Sequence, residues 1–250
     1  MQESDLETVM NLAWINKPLW LYFFLSLLWF DGFVRQLNAQ AIDLSKVERV
    51  AFIGNSITLH GPKADIDWHG NWGMAATVAE RDYVHRLAKR LEEATERKPQ
   101  LSVRNLADFE RGYEKYDLEK GLAETQEFQP DLIIVSLGEN VPPLDSAQKA
   151  QAFEAAFLSL LQRLQPQAGA KPRTILVRGT FWRDDAKEAA MKNASQKVEA
   201  RFISLKGLDE DPLHFGRAER PWKHAGVGGH PGDLGMERIA DRIWEAIAGL

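Results

Sequence analysis

The run Leu132-Ile133-Ile134-Val135-Ser136-Leu137 constrains this chain more than any other segment. It is β-branched and apolar with no polar face, so as a strand it must be covered on both sides. Val50-Ala51-Phe52-Ile53 has the same character and ends at Gly54. Leu101-Ser102-Val103-Arg104, Thr174-Ile175-Leu176-Val177 and Arg201-Phe202-Ile203-Ser204-Leu205 are further short strand candidates. Between them lie stretches with apolar residues at helical spacing: 71–95, read as one long helix or two, then 146–164, 184–199 and a closing 233–249. Fully apolar strands alternating with such helices imply an α/β fold with a parallel sheet. Right-handed crossovers then put helices on both faces, a three-layer α/β/α sandwich. Ligands bind beyond the carboxyl ends of the strands in such a fold, which directs attention to the residues just after Ile53, Arg104, Leu137 and Val177.

A chain of 250 residues suits one sizeable domain of this kind. The Pro166-Gln167-Ala168-Gly169-Ala170-Lys171-Pro172 stretch reads as a surface loop, not a domain boundary. Cysteine is absent, which removes a disulfide framework, a thiolate metal site, a cysteine nucleophile and a lipoprotein anchor together. The formal net charge is -5 and the basic residues are scattered, so there is neither a nucleic-acid footprint nor a polybasic membrane patch.

The first 41 residues stand apart. Leu19 to Phe30 form a mostly apolar run after Lys17, and Ala39-Gln40-Ala41 has the small-x-small form of a signal-peptidase site. The run is short for a transmembrane span. Residues 1–41 are expected to be an export signal, with an uncleaved membrane anchor over 18–30 or a buried core helix as the other readings. The folded domain is expected over 45–250, in an exported protein that meets a membrane only if this segment is retained.

Three residues are candidates for chemistry. Ser56 stands two residues past the first strand, where a strand-to-helix turn supplies N–H groups that favour developing negative charge; taken alone it reads first as a helix N-cap. Asn140, after the most apolar strand, is a neutral amide donor or simply a turn residue. His230, in Gly228-Gly229-His230-Pro231-Gly232-Asp233, has a side chain whose ordinary pKa suits general-base work, or is a loop histidine. Asp233 reads as the cap of the closing helix.

Together and in this order, Gly54-Asn55-Ser56-Ile57-Thr58, Gly138-Glu139-Asn140 and His230-Pro231-Gly232-Asp233 resemble motif blocks of the SGNH (GDSL-like) hydrolase family. The resemblance spans roughly residues 48–246 and implies a flavodoxin-like sandwich. It implies Ser56 as nucleophile, His230 as base, and an oxyanion hole of Ser56 N–H, Ala107 N–H and the Asn140 side chain. The family's glycine falls at Ala107 in Asn105-Leu106-Ala107-Asp108, and Asn55 stands where aspartate is usual. Three residues before the histidine, where the family carries the triad's aspartate, this chain has Val227. A backbone carbonyl, Asp67, Asp108 and Glu139 are the substitutes, and spacing favours none of the three acids.

Asp65-Ile66-Asp67-Trp68-His69-Gly70-Asn71-Trp72-Gly73-Met74 resembles segments of secreted bacterial members connected with carbohydrates. Trp68, His69 and Trp72 are therefore candidate substrate-binding residues; the alternative is aromatic packing that anchors a long loop. The spacing of His60, His69 and His85 fits no compact metal-ligand set, and His214 and His224 read as surface or loop residues. The expected function is hydrolysis of an O-acyl ester, chiefly acetyl and on a carbohydrate, with no metal or organic cofactor. Acyl transfer to a sugar hydroxyl would use the same residues. The competing reading is a non-catalytic carbohydrate-binding or scaffold protein that keeps the fold.

Overall fold

The computed structural model describes residues 41–167 and 169–250. The expected export signal therefore lies, Ala41 aside, outside the described residues. Five strands form one parallel sheet: β1 (Arg49–Gly54), β2 (Gln100–Asn105), β3 (Leu132–Ser136), β4 (Thr174–Arg178) and β5 (Arg201–Ile203), in the order β2-β1-β3-β4-β5. The helices longer than one turn are α1 (Tyr83–Thr95), α2 (Ala107–Gly112), α3 (Leu118–Phe128), α4 (Ala147–Leu164) and α5 (Asp185–Lys197). After the one-turn helices α6 (Gly216–Glu219) and α7 (Ala225–Gly228), α8 (Asp233–Ala248) closes the domain.

Strand side chains alternate between faces, and in the inner strands β1, β3 and β4 both faces are buried. Val50, Phe52, Leu132, Ile134 and Leu176 pack beneath Tyr83, Val84, Leu87 and Leu91 of α1 and Met236, Ile239 and Ile243 of α8. Ala51, Ile53, Ile133, Val135, Ile175 and Val177 face the other way, onto Phe109, Leu122, Phe153, Phe157, Leu161 and Met191 of α2 to α5. This is the expected three-layer sandwich.

The helical expectation over 71–95 is met only in its second half. Of 71–95, only Tyr83–Thr95 is an α-helix, started by Asp82, whose carboxylate accepts from His85 N–H. Residues before it follow an irregular path because Trp68, Met74, Ala75 and Val227 are buried together in a small core of their own, joined by Ile66, Trp72 and Trp222. Ala75 takes a φ of 75° there, a left-handed conformation incompatible with a continuous helix. The helices α2 and α3, α6 and α7 fall where the apolar spacing gave no helical expectation. Among the described residues no helix is long and apolar enough to cross a membrane.

Candidate active site

Register brings the motif blocks to one edge of the sheet: Gly54 at the end of β1 pairs with Asn105 of β2 and Ser136 of β3. The strand order reverses between β1 and β3, so the loops after them diverge around a crevice. Past β1 the chain turns sharply. Thr58 and Leu59 N–H both return to the Asn55 carbonyl, at 3.0 and 2.9 Å, and Asn55 Oδ1 accepts from Ile57 N–H at 3.1 Å. Gly54 is needed for this close approach, since a Cβ there would stand 1.9 Å from Thr58 Oγ1.

The turn presents Ser56, whose Oγ lies 2.8 Å from His230 Nε2 although the two are 174 residues apart. The opposite ring nitrogen, Nδ1, lies 2.7 Å from the Gly226 carbonyl oxygen. A carbonyl only accepts, so Nδ1 carries the proton and Nε2 is left to accept from the serine hydroxyl. The carbonyl thus holds the tautomer that an aspartate holds in a triad. Val227 is 1% exposed and packed into the tryptophan core. Of the other candidates, Asp67 pairs with His69 and Asp108 with Arg111, both at the surface, while Glu139 is engaged by Arg178. Part of the His230 residue meets solvent, but protein hems in the ring, and the lost hydration lowers its pKa below the ordinary histidine value. Trp182 packs edge-on against the imidazole with centroids 5.4 Å apart. Sequence reasoning passed over Trp182, though its place just after β4 was the available signal.

Ala107 opens α2, and its N–H donates to Asn105 Oδ1 at 2.9 Å. The Asn140 amide donates from Nδ2 to Glu110 Oε2 at 2.6 Å. These two of the three expected oxyanion donors thus sit at the predicted strand ends with a partner inside the protein. Beneath them is a buried polar cluster that the spacing did not reveal. Asn55 Nδ2 donates both to Glu110 Oε1 (3.0 Å) and to Glu139 Oε2 (2.7 Å). Glu139 Oε1 accepts from Arg178 Nη1 at 2.6 Å and Phe181 N–H at 3.0 Å. Burial alone would raise the Glu139 carboxyl, but the charge of Arg178 and its hydrogen bond outweigh this and hold it below the ordinary range. Glu110 carries no such counter-ion in contact, and burial together with the Glu139 charge pushes its carboxyl up. The cluster explains Asn55: an aspartate there would place a third carboxylate between two others.

The tryptophan segment divides. Trp68 is 2% exposed, set edge-on to Trp72 and against Trp222, with its Nε1 donating to the His60 carbonyl. Its side chain is enclosed, so it anchors the loop and does not line a pocket. Trp72 is half-buried with Nε1 donating to the Ala76 carbonyl, and His69 is exposed. One smaller expectation is narrowed and one corrected. His214 is buried, its Nδ1 2.7 Å from the Leu208 carbonyl oxygen, because α8 packs over its loop. Asp233 caps no helix: its carboxylate accepts from Thr77 N–H and Oγ1 and from Arg81, tying α8 to the loop that follows the tryptophans. Among the described residues no group of three His, Cys, Asp or Glu side chains is arranged to hold a metal ion. The surface hollow of about 570 Å³ between Tyr116 and Arg163 contains none of the site residues, so geometry and not hollow size marks the chemistry.

No protein-family model and no curated protein matches the chain. Solved structures do. A two-domain esterase active on acetylated mannans superposes with a TM-score of 0.52 at 12% identity over 87% of this chain, which spans 52% of that one, about half its length. A GDSL-like lipase from Parabacteroides merdae ATCC 43184 gives 0.52 at 18% identity, covering 84% of this chain and 100% of its own. The lipase/acylhydrolase from Enterococcus faecalis gives 0.50 at 17% identity, covering 80% and 96%. Sheet order, helix layers and these superpositions together establish that the chain has the fold of the SGNH (GDSL-like) hydrolases.

Proposed function

We propose that this protein is a serine esterase of the SGNH type that removes O-acyl groups, chiefly acetyl, from a carbohydrate. The observation that carries the reading is the Ser56–His230 contact, with the imidazole held in the base tautomer by Gly226. Ser56 Oγ attacks the ester carbonyl while His230 Nε2 takes its proton. Negative charge developing on the carbonyl oxygen is met by Ser56 N–H, the second amide proton of Asn140, and Ala107 N–H sharing its hydrogen with Asn105. His230 then returns the proton to the leaving alcohol, and water repeats the sequence on the acyl-serine. Trp182 shields the imidazole from one side. Trp72 and His69 are proposed to meet the sugar from the loop that Trp68 anchors. The carbohydrate assignment draws support from the fold shared with the mannan-active esterase, and residues 1–41 are proposed to export the protein. No cofactor is needed for this chemistry.

The test is hydrolysis of p-nitrophenyl acetate and of acetylated oligosaccharides by the full chain and by Ser56→Ala. A loss of about 10³-fold or more is expected, and equal rates would remove the assignment. A second reading, a non-catalytic glycan-binding protein, is favoured by the internal partners already held by Ala107 N–H and Asn140 Nδ2. A fluorophosphonate probe separates the two, because labelling at Ser56 needs an activated hydroxyl.

A further inference from the structure

Glu110 lies on α2, carries no expected role, and is fully buried. Every polar group that touches its carboxylate is an N–H donor. Oε1 accepts from Gly138 N–H at 2.6 Å, from Asn55 Nδ2 at 3.0 Å and from Asn140 N–H at 3.3 Å, and Oε2 accepts from Asn140 Nδ2 at 2.6 Å. These donors come from two segments far apart in sequence, the nucleophile turn after β1 and the loop after β3. Burial and the Glu139 charge push this carboxyl up, but among the described residues all four contacts on it are donated N–H groups, which fit the acceptor-only form.

An asparagine side chain can present either its NH₂ or its oxygen by a half-turn of the amide, and the two ends differ little in shape. An oxyanion tolerates only the NH₂. We propose that Glu110 is a positioning residue for the reaction: by accepting only, it locks the Asn140 amide with its NH₂ toward the site, and it fixes Asn55 beneath the nucleophile in the same way. The assignment rests on the esterase reading above. For Asn55 the lock is double, since Oδ1 is held by Ile57 N–H while Nδ2 bridges Glu110 and Glu139. For Asn140 the side chain's lock is Glu110. The role parallels what Gly226 does for His230, an acceptor selecting one of two orientations of a catalytic group.

Glu110→Gln keeps the shape and replaces one acceptor oxygen with a donor. If the Gln oxygen stays with Gly138 N–H and Asn55, its NH₂ meets the Asn140 NH₂, and the relief is a half-turn of Asn140 that aims Oδ1 at the oxyanion. The full-length chain is assayed on p-nitrophenyl acetate as wild type, Glu110→Gln, Asn140→Ala and the double variant, alongside thermal melts and ¹⁵N-resolved side-chain amide spectra. The expected result is a kcat loss of about 10²-fold in each single variant, with KM moving less than about threefold. The double variant should be no slower than Asn140→Ala alone, because Glu110 acts through Asn140. A Glu110→Gln variant with wild-type kcat, or losses that multiply in the double variant, overturns the proposal. If the wild type shows no Ser56-dependent hydrolysis, the esterase reading fails, and the amide spectra decide the lock by themselves. Asn140 resonances that shift in Glu110→Gln but not in Ser56→Ala support the lock, and unchanged Asn140 resonances in Glu110→Gln overturn it.

Discussion

At the scale of single residues the site works by acceptors that leave a neighbouring group only one orientation. Gly226 O does this for His230, and Glu110 with Glu139 does it for Asn55. Replacing Asn55 by aspartate would remove the bridging NH₂ and add a carboxylate against two others. Asn55→Asp is therefore expected to cost about 3 kcal/mol of stability at neutral pH. The folded state would then hold an extra proton, so the loss should shrink as pH falls toward about 5. Urea unfolding at the two pH values measures both effects; an Asn55→Asp chain as stable as wild type at pH 7 would contradict the network. His230 yields a second expectation. On the proposed esterase reading the base must be unprotonated, and burial lowers its pKa, so the acid limb of kcat/KM should lie below the ordinary imidazole value of about 6.5. A pH–rate profile on a neutral ester checks this, and a limb at or above that value would mean the imidazole is not held as described. Ser56, Asn140 and His230 were legible in the sequence because motif order marks them. Glu110 was not, because nothing in Phe109-Glu110-Arg111 distinguishes a buried carboxylate from an ordinary helix-surface one.

At the scale of elements, the loops at the carboxyl edge are held by contacts that cross the chain. Asp233 at the start of α8 binds Thr77 and Arg81, 156 and 152 residues away, and so clamps the tryptophan loop beside the segment that carries His230. Asp233→Asn removes the charge from three hydrogen bonds and should cost about 1–2 kcal/mol. The loosening should appear first as faster proteolytic nicking within residues 60–78, ahead of any loss of core helix signal. Nicking at the wild-type rate would show that the tryptophan core alone secures the loop. The same core is why 71–82 departs from the helical spacing read in its sequence. Met74 and Ala75 turn to Trp68 and Val227 while Ala76 packs into the core beneath the sheet, and periodicity cannot tell which surface an apolar residue will meet. The inner strands followed their patterns because they are buried on both faces, and α4, α5 and α8 because each buries one continuous stripe against the sheet.

At the scale of the molecule, the described residues after Ala41 supply two hydrophobic layers, and Ile42 N–H reaches the Ile247 carbonyl at 2.9 Å, joining the two ends of the described domain. A chain begun at Ala41 is therefore expected to unfold in one cooperative step and, on the proposed esterase reading, to hydrolyse p-nitrophenyl acetate at the rate of the full chain. A broad, non-cooperative melt would show that the first 40 residues complete the fold. From the sequence come the parallel three-layer sandwich, the strand ends beneath the candidate site and, by motif resemblance, its serine, asparagine and histidine. These are written in local apolar runs and motif order, which the chain cannot hide by folding. Tertiary structure decided the rest: that Gly226 O and not a carboxylate orients His230, that Trp68 is an anchor, and that Glu110 underlies Asn140. Each depends on which distant group arrives within hydrogen-bond reach and on how much water is expelled when it does, and neither is set by the residues beside it.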